Sequence, residues 1–350
     1  MDFSDTILST STLLCAAVPA KSPAIQFLIT SLFVFCMAAW IVAGQKLQKG
    51  HPLVRWRSRN CVPWNIIDGG CAVFLAFAGL VFGQLTFVLV SGVGFGSLED
   101  AQSLSARTQI QMILFMELGL VGAMLLTIGH MMFRAGATVS DLGFKTRHLG
   151  LDVRAGVGTF LLLAMPVLLL QGWLGKLFPE AGEHPLIELL RTDSALSTLL
   201  TFFCVVVVLA PIVEEFFFRV ILQGWLERVG QGHISLRYRI SSEGEETSQP
   251  ALARTSPFEK LLNRDPVPQP DPMPLSHAWV SIVATSFLFA LAHAGHGTAP
   301  IPLFIFSLGL GYVYQRTHTI WPSIVCHMLL NGFSFVQLVI DVTSKAHVAT

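Results

Sequence analysis

The sequence predicts an all-α fold, a polytopic bundle of about eight transmembrane helices with a polar cavity inside its C-terminal helices. Three observations carry that expectation. The 350 residues are 53% apolar and only 13% charged, about half the charge of an ordinary soluble chain. They fall into apolar stretches of roughly 20 residues, long enough to cross about 30 Å of hydrocarbon. The 22 Lys and Arg collect in alternate loops, as membrane orientation requires. Mean hydropathy is +0.63, and 26 Phe stand against 3 Tyr, so few aromatic rings carry a polar handle for a water boundary. This composition excludes a disordered chain, a soluble two-domain enzyme and a nucleic-acid binder with a basic face.

In order, the spans read as Ile25–Ala43, Ile66–Val93, Ile110–Phe133, Ala155–Leu174, Ala195–Val213, Ala278–Gly295, Ala299–Gln315 and Thr319–Ile340. The second is expected to tilt or break at its glycines, and the seventh is the shortest. Ile7 to Ala20 has the length of a signal peptide, but two Asp and no Lys or Arg precede it, so it is expected to stay uncleaved. The six Cys (15, 36, 61, 71, 204, 326) include no CxxC and lie mostly in apolar runs; they read as small apolar packers.

Lys and Arg divide 16 to 5 between the two sets of alternate loops, with Arg219 left over inside the protein. That split places both termini outside the cytoplasm. Gly230 to Pro274 is the soluble stretch, with Ser-Ser-Glu-Gly-Glu-Glu and then seven prolines between 250 and 274. It has no apolar periodicity and reads as a flexible cytoplasmic linker. The expected organisation is 1–194 as N-terminal transmembrane helices, 195–340 as a core interrupted by the linker 230–274, and 341–350 as a tail. No internal repeat is evident, which argues against a transporter built from inverted halves.

An ionisable group at bilayer depth costs about 2.5–3.5 kcal/mol on insertion scales, so its presence asks for a reason. The fifth span runs into Pro211-Ile212-Val213-Glu214-Glu215-Phe216-Phe217-Phe218-Arg219. Glu215 and Arg219 are i and i+4 on one helical face and can pair. Glu214 points about 100° away and has no local partner, so it is free to serve as a general base. In the sixth span Phe289 and His293 share a face one turn apart, and in the eighth His327 and Asn331 do the same. Each helix offers one polar spot on an apolar cylinder, and the economical arrangement has those spots facing one another. Glu117, His130 and Asp68 have no companions at telling spacing and read as packing or cavity-lining residues. His296 follows Gly295 and is placed in a loop.

Glu214–Arg219 (Glu-Glu-x-x-Phe-Arg), Phe289–His293 (Phe-x-x-x-His) and His327–Asn331 (His-x-x-x-Asn), in that order, resemble the CAAX protease and bacteriocin-processing family of intramembrane peptidases. Leu308-Gly309-Leu310-Gly311 and Trp321-Pro322-Ser323-Ile324 add to the likeness, which spans roughly 195–340 apart from the linker. The resemblance implies an α-helical membrane endopeptidase. By motif position Glu214 would activate water with help from His293, while His327 and Asn331 would steady the oxyanion. Glu215 and Arg219 would hold the first helix in register, with Phe289 supporting the site. Members of the family are described both as metallopeptidases and as glutamate-dependent peptidases without metal. Glu214, His293 and His327 are chemically able to hold zinc, but an obligatory ion is disfavoured here, because Asn331 is a poor zinc ligand and zinc would consume the base.

The expected partners are the lipid bilayer and a membrane-embedded or membrane-associated polypeptide substrate, not nucleic acid, in a bacterial-type cytoplasmic membrane. Competing uses of the same buried charges are a catalytically inactive scaffold and a small-solute transporter. One geometric demand follows. His293 lies late in an outward helix and His327 early in another, so the sixth helix must stop near mid-membrane for the two to meet.

Overall fold

The computed structural model describes residues 23–57, 62–94, 104–179, 189–190, 192–193, 195–230, 275–294 and 297–348. The expected linker beyond Gly230, the stretch before Ala20 and His296 lie outside the described residues. The long helices are α1 Pro23–Gln48, α2 Ile66–Ser91, α3 Ala106–Phe133, α4 Leu149–Leu177, α5 Leu196–Gly230, α6 Leu275–Ala292, α7 Pro300–Thr317 and α8 Trp321–Val348. No strand occurs among the described residues.

The chain is an integral, multi-pass membrane protein. Six of these helices are long and apolar enough to cross a membrane; α6 and α7 have 18 residues each, about 27 Å at the α-helical rise. The shorter α7 is enclosed by α4, α5, α6 and α8, and Phe306, Ser307, Leu310, Val313 and Tyr314 on it are fully buried. A helix surrounded by other helices has no need to match the bilayer. The outer helices instead show Phe27, Phe74, Phe82, Leu89 and Leu126 to the outside, an apolar exterior that suits lipid.

The second span does not break at its glycines. A Cβ on Gly79, Gly83 or Gly119 would run into the backbone of the opposite helix, so these positions let α2 and α3 approach closely, as small residues four apart do in membrane helix pairs. A Gly83→Leu substitution is expected to force the hairpin apart, at a cost of roughly 1–3 kcal/mol or more for overpacking. A thermal unfolding scan in detergent checks this, with Gly94→Leu, in open space, as the neutral control.

Asn65 caps α2 in a reciprocal box with Asp68, whose Oδ1 also meets His130 Nε2 at 3.0 Å and the Arg134 guanidinium across the hairpin. Asp68 and His130, expected as residues without companions, are thus partners of each other. Sequence spacing could not reveal this, because they stand 62 residues apart.

Basic residues assigned by the charge count to one side do meet at one end of the bundle. Arg57 pairs with Asp152 at 2.5 Å, Arg316 Nε donates to Val54 O, and Arg228 Nη1 donates to Val62 O and Trp64 O. The 134–148 loop joins them: Ile320 N donates to Gly143 O, and Trp321 Nε1 donates to Lys145 O. At the opposite end Asp193 accepts from the Ala195 N–H and the Thr198 hydroxyl. These bonds, first the backbone one, hold its carboxyl below the usual range, and they start α5.

Candidate active site

The fifth helix extends further than its apolar run. The expected end at Val213 is passed without a break, and α5 runs on to Gly230, 35 residues in all. The charges at 214, 215 and 219 therefore lie inside the helix, where those at 215 and 219 compensate each other. Two π-helical stretches, Phe203–Leu209 and Phe216–Gln223, flank the α-turn Ala210–Glu215 that carries both glutamates. Wide turns of this kind recur at functional sites.

Pro211 accounts for part of the first wide stretch. In that register Ala210 N donates to Val205 O, so the next donor, to Val206 O, would be Pro211, which has no N–H. Asn331 Nδ2 fills the gap, donating to Val206 O at 2.9 Å. One of its two amide hydrogens is thereby fixed, and the second remains for another acceptor.

The fully buried Glu215 and Arg219 pair as their spacing predicts, Nε to Oε2 at 3.0 Å. The other oxygen, Oε1, meets His327 Nδ1 at 3.0 Å. Arg219 Nη2 donates to Ser307 Oγ at 2.6 Å, and its guanidinium carbon stands 5.6 Å from the Phe289 ring centre. Gln223, a turn further on, donates to Gly311 O and Glu227 Oε1. One row on α5 is thus tied to α7 and α8. The glycines 309 and 311 make the α7 approach possible: a Cβ on Gly309 would meet Leu163, and one on Gly311 would press on Ile282 and Gln223.

Glu214 points elsewhere. Its Oε2 lies 3.8 Å from His327 Nε2, outside hydrogen-bond range, and the side chain is 27% exposed. That oxygen is buried and has no hydrogen-bond partner. A carboxylate oxygen held beside an imidazole and not hydrogen-bonded is chemically a proton acceptor awaiting a donor.

α6 ends at Ala292, and His293 sits on the turn beyond it, Nδ1 against Phe289 O at 2.8 Å. With Nδ1–H donating to that carbonyl, Nε2 carries the lone pair. Phe289 stands between the imidazoles, its ring centre 4.8 Å from that of His293 and 5.8 Å from that of His327. His293 and His327 thus do meet, on either side of the Phe289 ring. The structure thus gathers Glu214, Glu215, Arg219, Phe289, His293 and His327 in one locality, with Asn331 one turn above His327.

Among the described residues no three His, Cys, Asp or Glu side chains are grouped as metal ligands would be. Two residues escaped the sequence reading of the site. Ser307 is a lone hydroxyl in an apolar helix, one residue ahead of Leu308-Gly309-Leu310-Gly311, and its position there was the available signal. Glu117, expected as packing or cavity-lining, stands on the helix packed against the turn that carries Glu214, its Oε1 buried with no hydrogen-bond partner.

Residues 196–242 and 252–333 fit the family described as type II CAAX prenyl endopeptidase Rce1-like. No curated protein and no solved structure matches the chain.

Proposed function

We propose that this chain, whose residues 196–242 and 252–333 resemble the Rce1-like CAAX endopeptidases, hydrolyses a peptide bond of a prenylated, membrane-held polypeptide with Glu214 as general base. The observation that carries this reading is the contrast between adjacent carboxylates. Glu215 is satisfied by Arg219 and His327, whereas Glu214 keeps an unpartnered oxygen beside His327 and partial access to solvent.

In this reading Glu214 takes a proton from water as the water oxygen adds to the scissile carbonyl, and passes it to the departing amine. His293 assists Glu214 from beside the Phe289 ring, its Nδ1 held by Phe289 O. The second amide hydrogen of Asn331 and the Nε2–H of His327 meet the oxyanion, the kind of preorganised donors that stabilise such charge. For that role His327 carries both ring protons, and the two glutamates are then matched by two cations, His327 and Arg219. Phe289 and the neighbouring aromatic rings exclude water from the far side of the imidazoles.

The test uses the purified full chain in lipid vesicles with two peptides, one ending in a prenylated CAAX sequence and the same peptide without the prenyl group. Cleavage of the prenylated peptide is expected to be preferred, and to survive prolonged chelation. Uncut peptide in both arms sinks the proposed activity. Activity lost on chelation and restored by zinc would make Glu214, His293 and His327 ligands instead.

A further inference from the structure

Glu117 lies in α3, outside the stretch that matches the family. It belongs to a heptad-spaced series, Ile110, Glu117, Met124 and Met131, in which the three apolar members are buried. Ile110 clusters with Leu199, Phe202 and Val206 of α5. Met124 and Met131 cluster with Val213, Phe216 and Val220 further along the same helix. The two helices run side by side, and Glu117 falls between those contacts, level with the turn that carries Glu214. Its Oε1 is buried with no hydrogen-bond partner, as is Glu214 Oε2. A carboxyl group on an otherwise apolar packing face costs stability, and packing alone gives no return for it.

Two unpartnered carboxyl oxygens call for two donors, and a water molecule has two O–H bonds. Buried polar groups left without protein partners are the usual sites of such bridging waters. We propose that Glu117 is a positioning residue of the active site, holding one hydrogen of the hydrolytic water while Glu214 holds the other. The arrangement turns the water's lone pair toward the substrate carbonyl. The O–H bond facing Glu214 breaks as the new C–O bond forms, and Glu214 gains that proton. The O–H bond facing Glu117 stays intact. When the C–N bond breaks, the proton on Glu214 passes to the amine, and both carboxyl groups return to their starting state. The inference rests on the assignment of Glu214 as the base.

The experiment compares Glu117→Leu, Glu117→Gln and Glu214→Gln in the full chain, with kcat, KM and thermal midpoint read for each. Misplacing a reacting group by about 1 Å costs on the order of 100-fold, so Glu117→Leu is expected to lose about that factor in kcat. Its KM should stay within about twofold of native. Glu117→Gln keeps a carbonyl acceptor and should retain most of kcat, which a proton-transfer role would not allow. Glu117→Leu should also unfold no lower than the native chain, because it removes an unpaired carboxyl from an apolar face. Native kcat in Glu117→Leu overturns the proposal. So does a lowered midpoint with equal kcat losses in the Leu and Gln variants, which marks a structural role. Full activity in Glu214→Gln overturns the underlying assignment of the base, and is read separately from either Glu117 variant.

Discussion

Glu214→Gln is expected to abolish cleavage while leaving the fold intact. General-base catalysis contributes about 10²–10⁴ in rate, and here the loss falls at the upper end, since the adjacent carboxylate is not placed to take over. Glu215 is committed on both oxygens, to Arg219 and to His327. The amide is nearly isosteric with the carboxylate, and Glu214 Oε2 has no hydrogen bond to lose. The thermal midpoint in detergent should therefore stay at the native value. The measurement is turnover of a prenylated peptide alongside that midpoint. A variant that aggregates, or one that cuts at the native rate, removes Glu214 from the role of base.

Much of this site was legible because its parts are local. Glu215 and Arg219 pair at the i, i+4 spacing that the sequence displays, and His327 and Asn331 share a face for the same reason. The extent of α5 was less legible. An apolar window ends at Val213, since hydropathy counts each charge as exposed, whereas Glu215, Arg219 and Gln223 are buried against α7 and α8. Partners brought by the fold were hidden altogether. Ser307 reaches Arg219 across 88 residues, and Asp68 reaches His130 across 62, distances over which spacing carries no information. The glycines of α2 were misleading for a related reason. Glycine weakens an isolated helix, yet Gly79 and Gly83 face Gly119 so closely that only glycine fits. Asn331 had a legible role and a hidden one, because its bond to Val206 O follows from the wide turn ahead of Pro211.

Arg219→Ala is expected to cost the most stability of any single change in the site. Arg219 is fully buried, with Nε on Glu215, Nη2 on Ser307 and its plane beside Phe289. Truncation strands the Glu215 carboxylate with His327 as its remaining partner, and removing one member of a buried pair costs roughly 3–5 kcal/mol. The consequence travels to the chemistry, because His327 Nδ1 is held by the same carboxylate. An imidazole recruited to neutralise Glu215 is no longer poised toward Glu214 and the oxyanion. Arg219→Lys should not rescue the site, since an ammonium on a flexible stem cannot reproduce the two divergent N–H bonds to Glu215 and Ser307. The double change Glu215→Leu with Arg219→Met is the informative partner. It removes both charges together and should be more stable than Arg219→Ala, as apolar replacements of buried pairs generally are. It should nevertheless be inactive, because His327 loses its anchor. Unfolding midpoints of the three variants decide the matter: a midpoint for Arg219→Ala equal to native, or one above that of the double variant, would show that the pair does not hold α5 in place.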